Sequence, residues 1–370
     1  MNVVVTGSQG FIGRNLMVRL GEYPELTAKG IDRTTTPGAR AAALESAQVV
    51  VHLAGINRPP SPDAYAEGNA GATEALCDEL RTLGRPVPII FSSSAQAVLE
   101  NPYGISKRNA ERAIEAFGHE TGSRFAILRL WNVFGKWARP QYNTVVATFC
   151  HNIARNLPVN VHDPAAPLRL VYIDDVIDTI LQLIFSGVPA TGEVSVGPVH
   201  DTTVGQLLET VRSFTSIRKT RDIPRVGAGI ERKLYSTYLS YLPFEDFVYP
   251  LKAHHDSRGM FVEMLRTADS GQFSVFTAHP GVTRGGHYHH TKNEKFFVVQ
   301  GRASFGFRDL RDGTYRELLV DASAPQVVDT VPGWSHDITN VGDDLLIVLL
   351  WANEVFDSAR PDTTPAPVRS

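Results

Sequence analysis

Cysteine is scarce in this chain: two residues, Cys77 and Cys150, in 370. That is too few for a disulfide framework and points to a reducing compartment. Long apolar runs are missing as well; none approaches the roughly 20 residues a membrane-spanning helix needs. Positive charge is not in excess, since a net charge of -3 leaves no basic field to hold a nucleic acid or an anionic membrane. The opening Met1-Asn-Val-Val-Val-Thr6 has no basic leader region and runs straight into a glycine loop. No internal repeat is visible. These absences exclude secreted, membrane and nucleic-acid-binding classes and leave a cytoplasmic globular protein. An apolar content of 43% supplies a sizeable core, and the length suits two domains.

What is present changes character part-way. Over about 1–185, short β-branched runs (Val3–Val5, Val49–Leu53, Val87–Phe91, Phe125–Leu130) alternate with helical spacing at Asn15–Leu20, Asn69–Leu83 and Ser106–Phe117. That rhythm predicts an α/β, Rossmann-type doubly wound parallel sheet. Helix-like pieces at Val204–Phe214 and Leu234–Leu242 suit a small substrate lobe. After Tyr249, short alternating strands with glycine-rich turns (Phe273–Thr277, Lys295–Val299, Ala303–Phe307, Gln326–Val331, Leu345–Leu350) predict an all-β sandwich or barrel. The expected domains are 1–245 and 246–370. From about Asp357 the chain has nothing to bury and reads as a tail that does not pack. Seven of the twelve histidines fall between His254 and His336, which marks the C-terminal third as chemically distinct.

Two constellations carry chemistry. In the first, Gly7-Ser-Gln-Gly10-Phe11-Ile12-Gly13 lies between strand and helix, where backbone amides can meet a pyrophosphate. Asp32 follows at the end of the next expected strand, in position for a ribose contact. Tyr103 and Lys107 stand at i and i+4 on a helix, with Ser94 closing the preceding strand. A cation that near is expected to lower the tyrosine pKa. The bland alternative for such a Tyr/Lys pair is a solvated helix face.

These motifs, with His52-Leu53-Ala54-Gly55, Asn69 before Gly71-Ala-Thr73, Arg129-Leu-Trp-Asn132-Val-Phe-Gly135 and Tyr172-Ile-Asp-Asp175, make 1–180 similar to the extended short-chain dehydrogenase/reductases that act on nucleotide sugars. The resemblance implies that Tyr103 exchanges a proton, Lys107 holds the nicotinamide ribose, Ser94 orients the sugar oxygen and Asn132 contacts the substrate. It implies a cofactor site built on Gly7, Gly10, Phe11, Ile12, Gly13, Asp32, Arg33, Leu53, Ala54, Gly55 and Asn69. Dehydratases of the family carry an Asp-Glu pair after the serine or threonine; here those positions are Ala95 and Gln96, which cannot transfer protons. Reduction or epimerisation at C4 remains. The cofactor expected is NADPH, with NAD open: Asp32 suits a free 2′-hydroxyl, and Arg33 suits a 2′-phosphate.

In the second constellation, strand alternation puts His287 and His289 on one face with Tyr288 opposite, and Glu294 returns on the next strand. His287-x-His289-x4-Glu294-x6-Gly301 resembles the first cupin motif. Pro332-Gly-Trp-Ser-His336 resembles the second, although its proline directly precedes the glycine. The cupin resemblance implies a jelly roll with a divalent metal on His287, His289, Glu294 and His336. The N/O donor set alone suits Zn, Fe, Mn or Ni, and Zn is the expected ion. A metal-free sugar-binding barrel is the competing reading. Asp256-Ser-Arg258-Gly-Met-Phe-Val-Glu263 resembles the opening of dTDP-sugar 3,5-epimerases, which implies substrate contacts for Arg258 and Glu263.

Further stretches, among them Asn101-Pro-Tyr-Gly104, Leu234–Leu242 and His289–Lys295, extend the likeness to bifunctional capsular-polysaccharide enzymes that fuse such a reductase to a cupin. That kinship implies C3 epimerisation of a UDP-4-keto-2-acetamido-2,6-dideoxy-L-hexose, then C4 reduction to UDP-2-acetamido-2,6-dideoxy-L-talose, by a homodimer. Tyr288, His290 and Lys292 are unranked candidates for moving the C3 proton. A ketosugar reductase or 4-epimerase with a structural barrel, and an NADPH-binding redox sensor, are the alternatives.

Overall fold

A computed structural model describes residues 1–59, 61, 64–189 and 192–369. The chain forms two compact units, Met1–Phe214 with Gly229–Pro243, and Thr215–Ala228 with Phe244–Ser370.

The first unit is built on a parallel sheet of β1 (Asn2–Thr6), β2 (Thr27–Ile31), β3 (Val49–His52), β4 (Ile89–Ser94) and β5 (Phe125–Leu130), in the order β2-β1-β3-β4-β5. Helices α1 (Phe11–Leu20), α2 (Pro37–Glu45), α3 (Ala72–Arg81) and α4 (Pro102–Thr121) connect the strands. Valine runs form these strands because both faces are covered. Val3, Val5, Val49 and Val51 enter one core, while Val4 and Val50, one residue out of phase, enter the other. The strands thus deliver their C-terminal ends, Thr6, His52 and Ser94, to one edge of the sheet. Helix α4 starts one turn before the expected Ser106–Phe117: the Asn101 side chain accepts the Gly104 amide at 2.7 Å and Pro102 occupies the first turn. That cap fixes Tyr103 one turn before Lys107. A second sheet joins β6 (Asn132–Phe134), β7 (Pro167–Tyr172) and β8 (Val199–Thr203).

In the second unit, one sheet runs β10 (Ala253–Asp256), β11 (Gly259–Thr267), β12 (Gly271–Ala278), β19 (Leu346–Ala352), β14 (Glu294–Gln300) and β17 (Val327–Asp329). A two-residue strand, β9 (Asp222–Ile223), adds parallel to β11. The other sheet runs β16 (Tyr315–Asp321), β15 (Arg302–Asp309), β18 (Trp334–Asn340), β13 (Thr283–Tyr288) and β20 (Thr364–Pro365). Phe276, Phe296 and Val348 of the first sheet pack against Phe305 and Ile338 of the second, the core of an all-β jelly roll.

The C-terminal residues depart from expectation. Thr364–Pro365 pairs with β13, Val368 is 1% exposed and Arg369 pairs with the buried Asp337 at 3.0 Å. Low hydrophobicity concealed this, because polar anchors rather than an apolar face fasten the segment. The Asp362 carboxylate accepts the successive amides of His290, Thr291 and Lys292 at 2.7–2.8 Å. Among the described residues, no helix is long and apolar enough to cross a membrane.

Candidate active sites

The glycine loop follows β1 directly. Gly7 has φ +69 and donates its amide to Ile31 O at 2.8 Å, and a Cβ there would lie 2.7 Å from the Ala54 nitrogen. Gly13 lets α1 approach the loop; its Cβ would sit 2.2 Å from Gly7 O. Gly10 caps α1 in extended conformation without a side-chain bond, and Phe11 and Ile12 open the helix. The first-turn amides have no intrahelical partner and suit a phosphate.

A directed hydrogen-bond chain ties this loop to its neighbours. Ala54 donates its amide to Thr6 Oγ1 (3.3 Å), which contacts His52 Nδ1 at 2.6 Å. His52 Nε2 meets Thr73 Oγ1 at 3.0 Å, and that hydroxyl donates to Asn69 O at 2.8 Å. Since Thr73 spends its proton on Asn69, His52 must donate from Nε2 and accept at Nδ1. Burial, with Lys107 and Arg40 adding to it, drives the His52 pKa down to about 3, so the ring is neutral. The Asn69 amide is fully engaged: it donates to Ile56 O and Ser106 Oγ and accepts from Ile56 N. Asn69 therefore braces the loop holding Leu53, Ala54 and Gly55.

Ser94, Tyr103 and Lys107 come together beyond β4. Lys107 is buried, donates to Ser92 O at 2.7 Å and lies 4.5 Å over the Phe91 ring; burial lowers its pKa to about 8. The tyrosine differs from expectation. Burial pushes the Tyr103 phenol up, and the Ser94 hydroxyl partly offsets this. Burial outweighs the other influences on the phenol, while the Lys107 ammonium is held on the Ser92 carbonyl. Beneath the site, Ser93 bonds Glu111 at 2.5 Å, and Arg129 grips the same buried carboxylate through Nε (3.0 Å) and Nη2 (2.7 Å). Arg129 thus pins α4 to β4 and β5.

Asp32 follows β2, but its carboxylate turns into its own loop, accepting the Thr34 amide (2.7 Å) and hydroxyl (2.6 Å). Arg33 beside it is exposed. Asn132, at the exposed start of β6, donates to Arg169 O at 3.1 Å.

In the second unit, His287, His289, Glu294 and His336 converge, with one donor atom from each within 4.8 Å of the others. Register places them: His287 on β13 faces His336 on β18, and Glu294 opens β14. Asp362 O lies 2.5 Å from His289 Nδ1. The carbonyl can only accept, so Nδ1 carries a proton, and in the neutral ring the bare Nε2 faces Glu294 Oε2 at 3.3 Å. Two acceptors opposed in this way repel unless a cation lies between them. Both ring nitrogens of His336 are buried without a hydrogen bond, with Nε2 3.3 Å from the same oxygen. This donor set fits a divalent cation, which His287, His289, Glu294 and His336 could hold. Burial, reinforced by His336, drops the His287 pKa to about 4, keeping it available as a ligand.

Residues 3–197, more than half of the chain, match the NAD dependent epimerase/dehydratase family. The chain belongs to that family. Residues 254–364 match the polysaccharide biosynthesis C-terminal domain. A UDP-2-acetamido-2,6-beta-L-arabino-hexul-4-ose reductase from Pseudomonas aeruginosa is 48% identical over 363 residues, 98% of each chain. The crystal structure of the capsular polysaccharide assembling protein CapF from Staphylococcus aureus covers 100% of both chains with a TM-score of 0.93 at 40% identity. A UDP-glucose 4-epimerase from Thermotoga maritima covers 65% of this chain and 98% of its own, with a TM-score of 0.55 at 23% identity, a likeness of fold. The family membership and the CapF-like jelly roll agree with the two-part architecture expected from the motifs.

In this member of the family, a cavity of about 550 Å³ reaches Glu294 and Lys292, which are 2.9 Å apart. Glu263 lines it; Arg258 does not, being exposed and paired with Asp256. Tyr288 and His290 pack ring against ring, whereas Lys292 is buried and faces the cavity. Sequence reasoning missed Arg221, Arg266 and Lys252, which share the wall. Arg266 lies in the same β11 pattern as Glu263 and was readable there; nothing local to Arg221 ties it to the barrel.

Proposed function

We propose that this chain is a bifunctional UDP-sugar enzyme of polysaccharide biosynthesis. The barrel epimerises C3 of a UDP-4-keto-2-acetamido-2,6-dideoxy-L-hexose, and the N-terminal unit reduces C4 with NADPH to UDP-2-acetamido-2,6-dideoxy-L-talose. One observation carries the reading: a proton-donating Ser94/Tyr103/Lys107 set in one unit accompanies a converged three-histidine, one-carboxylate cluster in the other.

In the reductase, a bound nicotinamide supplies the hydride. Tyr103 protonates the C4 oxygen as charge develops there, and Ser94 hydrogen-bonds that oxygen. The raised phenol pKa suits this role, since the group must hold its proton until the alkoxide forms. Lys107, braced by Ser92 O, presents its charge to the ribose. Asp32 on its own suits a free 2′-hydroxyl, but its Oδ1 is turned toward Thr34, and the exposed Arg33 beside it supports the proposal of NADPH by offering a partner for a 2′-phosphate. In the barrel, a divalent cation on the histidine–glutamate set, with Zn the expected ion, would supply a Lewis acid. The cluster residues orient around that position, and Glu294 among them lines the barrel cavity.

The test is proton NMR of the keto-sugar in deuterated water. Deuterium entering C3 without NADPH, with C4 reduced only in its presence, supports two sites. NADPH consumption without C3 exchange leaves a plain reductase, a second reading favoured by the Pseudomonas relative's name, which mentions reduction alone.

A further inference from the structure

We infer that the barrel cavity contains a diphosphate subsite formed by Arg221, Arg266 and Lys252, which holds the nucleotide end of the substrate while the sugar reaches the histidine–glutamate cluster. The identity of the ligand rests on the function proposed above; the anion site itself rests on the following geometry.

Arg221 is brought to the barrel by an insertion. The segment Thr215–Ala228 belongs to the second unit, and its strand β9 pairs parallel with β11, Asp222 opposite Arg266. Arg221 takes φ +67 as the left-handed residue that ends the short helix Ile217–Thr220. Its carbonyl accepts the Arg266 amide at 2.8 Å, so the two arginines are locked side by side. Glu263 Oε1 then accepts Nε of Arg221 (2.8 Å) and Nε of Arg266 (2.5 Å).

One carboxylate balances one of two guanidiniums. Each arginine gives only its Nε to Glu263 and retains its terminal fork, the part that recognises phosphate oxygens. Lys252 adds a further positive charge to the wall, and the charge of Lys292 is answered by Glu294. The clamp leaves positive charge facing a cavity of about 550 Å³, within the range of small-ligand sites. Glu294 lines the same cavity, so a sugar attached to an anionic group at the arginines shares that cavity with the cluster carboxylate. Phe261, Leu350 and Phe356 provide its apolar wall.

The experiment is calorimetric titration of the full-length metal-loaded enzyme with UDP, inorganic pyrophosphate and uridine, comparing wild type with Arg221→Gln and Lys252→Gln. UDP should bind at two sites per chain, one in each unit. Arg221→Gln should weaken one of them about tenfold or more, as expected for lost charge-assisted bonds, leave the other unchanged, and raise KM for C3 exchange with little change in kcat. Pyrophosphate should follow UDP, and uridine should not detect the substitution. If Arg221→Gln fails to fold, Lys252→Gln, an exposed change, must show the same selective weakening. Unchanged UDP and pyrophosphate affinity in the folded variants would overturn the subsite even where C3 exchange proceeds. Selective loss of pyrophosphate binding in a protein with no C3 exchange would uphold the subsite and overturn the epimerase reading instead.

Discussion

The backbone carbonyl of Asp362 lies 2.5 Å from Nδ1 of His289. This contact sets the tautomer of a cluster histidine from a segment seventy-three residues downstream. The Asp362 carboxylate holds that segment in place through three consecutive amides. Asp362→Ala should therefore weaken metal binding by about 10–100-fold, the usual effect of losing an outer-sphere partner. Competition with a chromogenic chelator measures it; unaltered affinity would show that the tail only covers the site.

Tyr103→Phe removes the proton donor and leaves the ring. Turnover at C4 should fall by about 10²–10⁴-fold, with NADPH binding unchanged by fluorescence titration. Loss of NADPH binding instead would make the residue a cofactor prop.

Replacing His287 with alanine, or stripping metal from the wild type, should abolish deuterium entry at C3. Reduction at C4 of a substrate already epimerised should continue at its normal rate. NMR of the two reactions side by side separates them, and parallel loss of both would contradict independent sites.

The buried Glu111 carboxylate depends on Arg129. Arg129→Leu strands that charge and should cost about 3–5 kcal/mol by urea melting. Adding Glu111→Gln should recover part of the loss, because the stranded charge disappears. If the double variant is no more stable than the single, the pair is not the source.

Stability should fall in acid because of His52, whose surroundings include Lys107 and Arg40. Its unfolded pKa is about 6.5 and its folded value about 3. Between those values the unfolded chain binds a proton that the folded ring refuses, so stability drops as pH falls. The slope from this residue is at most about 1.4 kcal/mol per pH unit. Urea midpoints at several values across that window should show it, and His52→Gln should flatten the curve.

Much of this was legible in the sequence where period and motif agreed. Valine runs marked the first sheet, the Ser106–Phe117 spacing marked the body of α4, and the His287/His289 alternation marked the cluster. Illegible were features set by tertiary pairing. The C-terminal segment offers no apolar stripe, yet β20 and Asp362 fasten it. Arg221 reaches the barrel by a chain excursion that no local pattern announces. The Tyr103 pKa goes the other way because the phenol is buried, a property of the packed site that the i, i+4 spacing cannot reveal.

The path of the backbone through Thr215–Ala228 bears on where such a protein can be divided. A cut at residue 243 would sever β9 and Arg221 from the barrel, and a gene segment spanning only 254–364, the stretch matched by the C-terminal domain, would also omit Val368 and Arg369. The second unit is therefore assembled from two stretches of the chain. Any fragment meant to keep Arg221 beside β11 must carry a piece of the sequence upstream of 243.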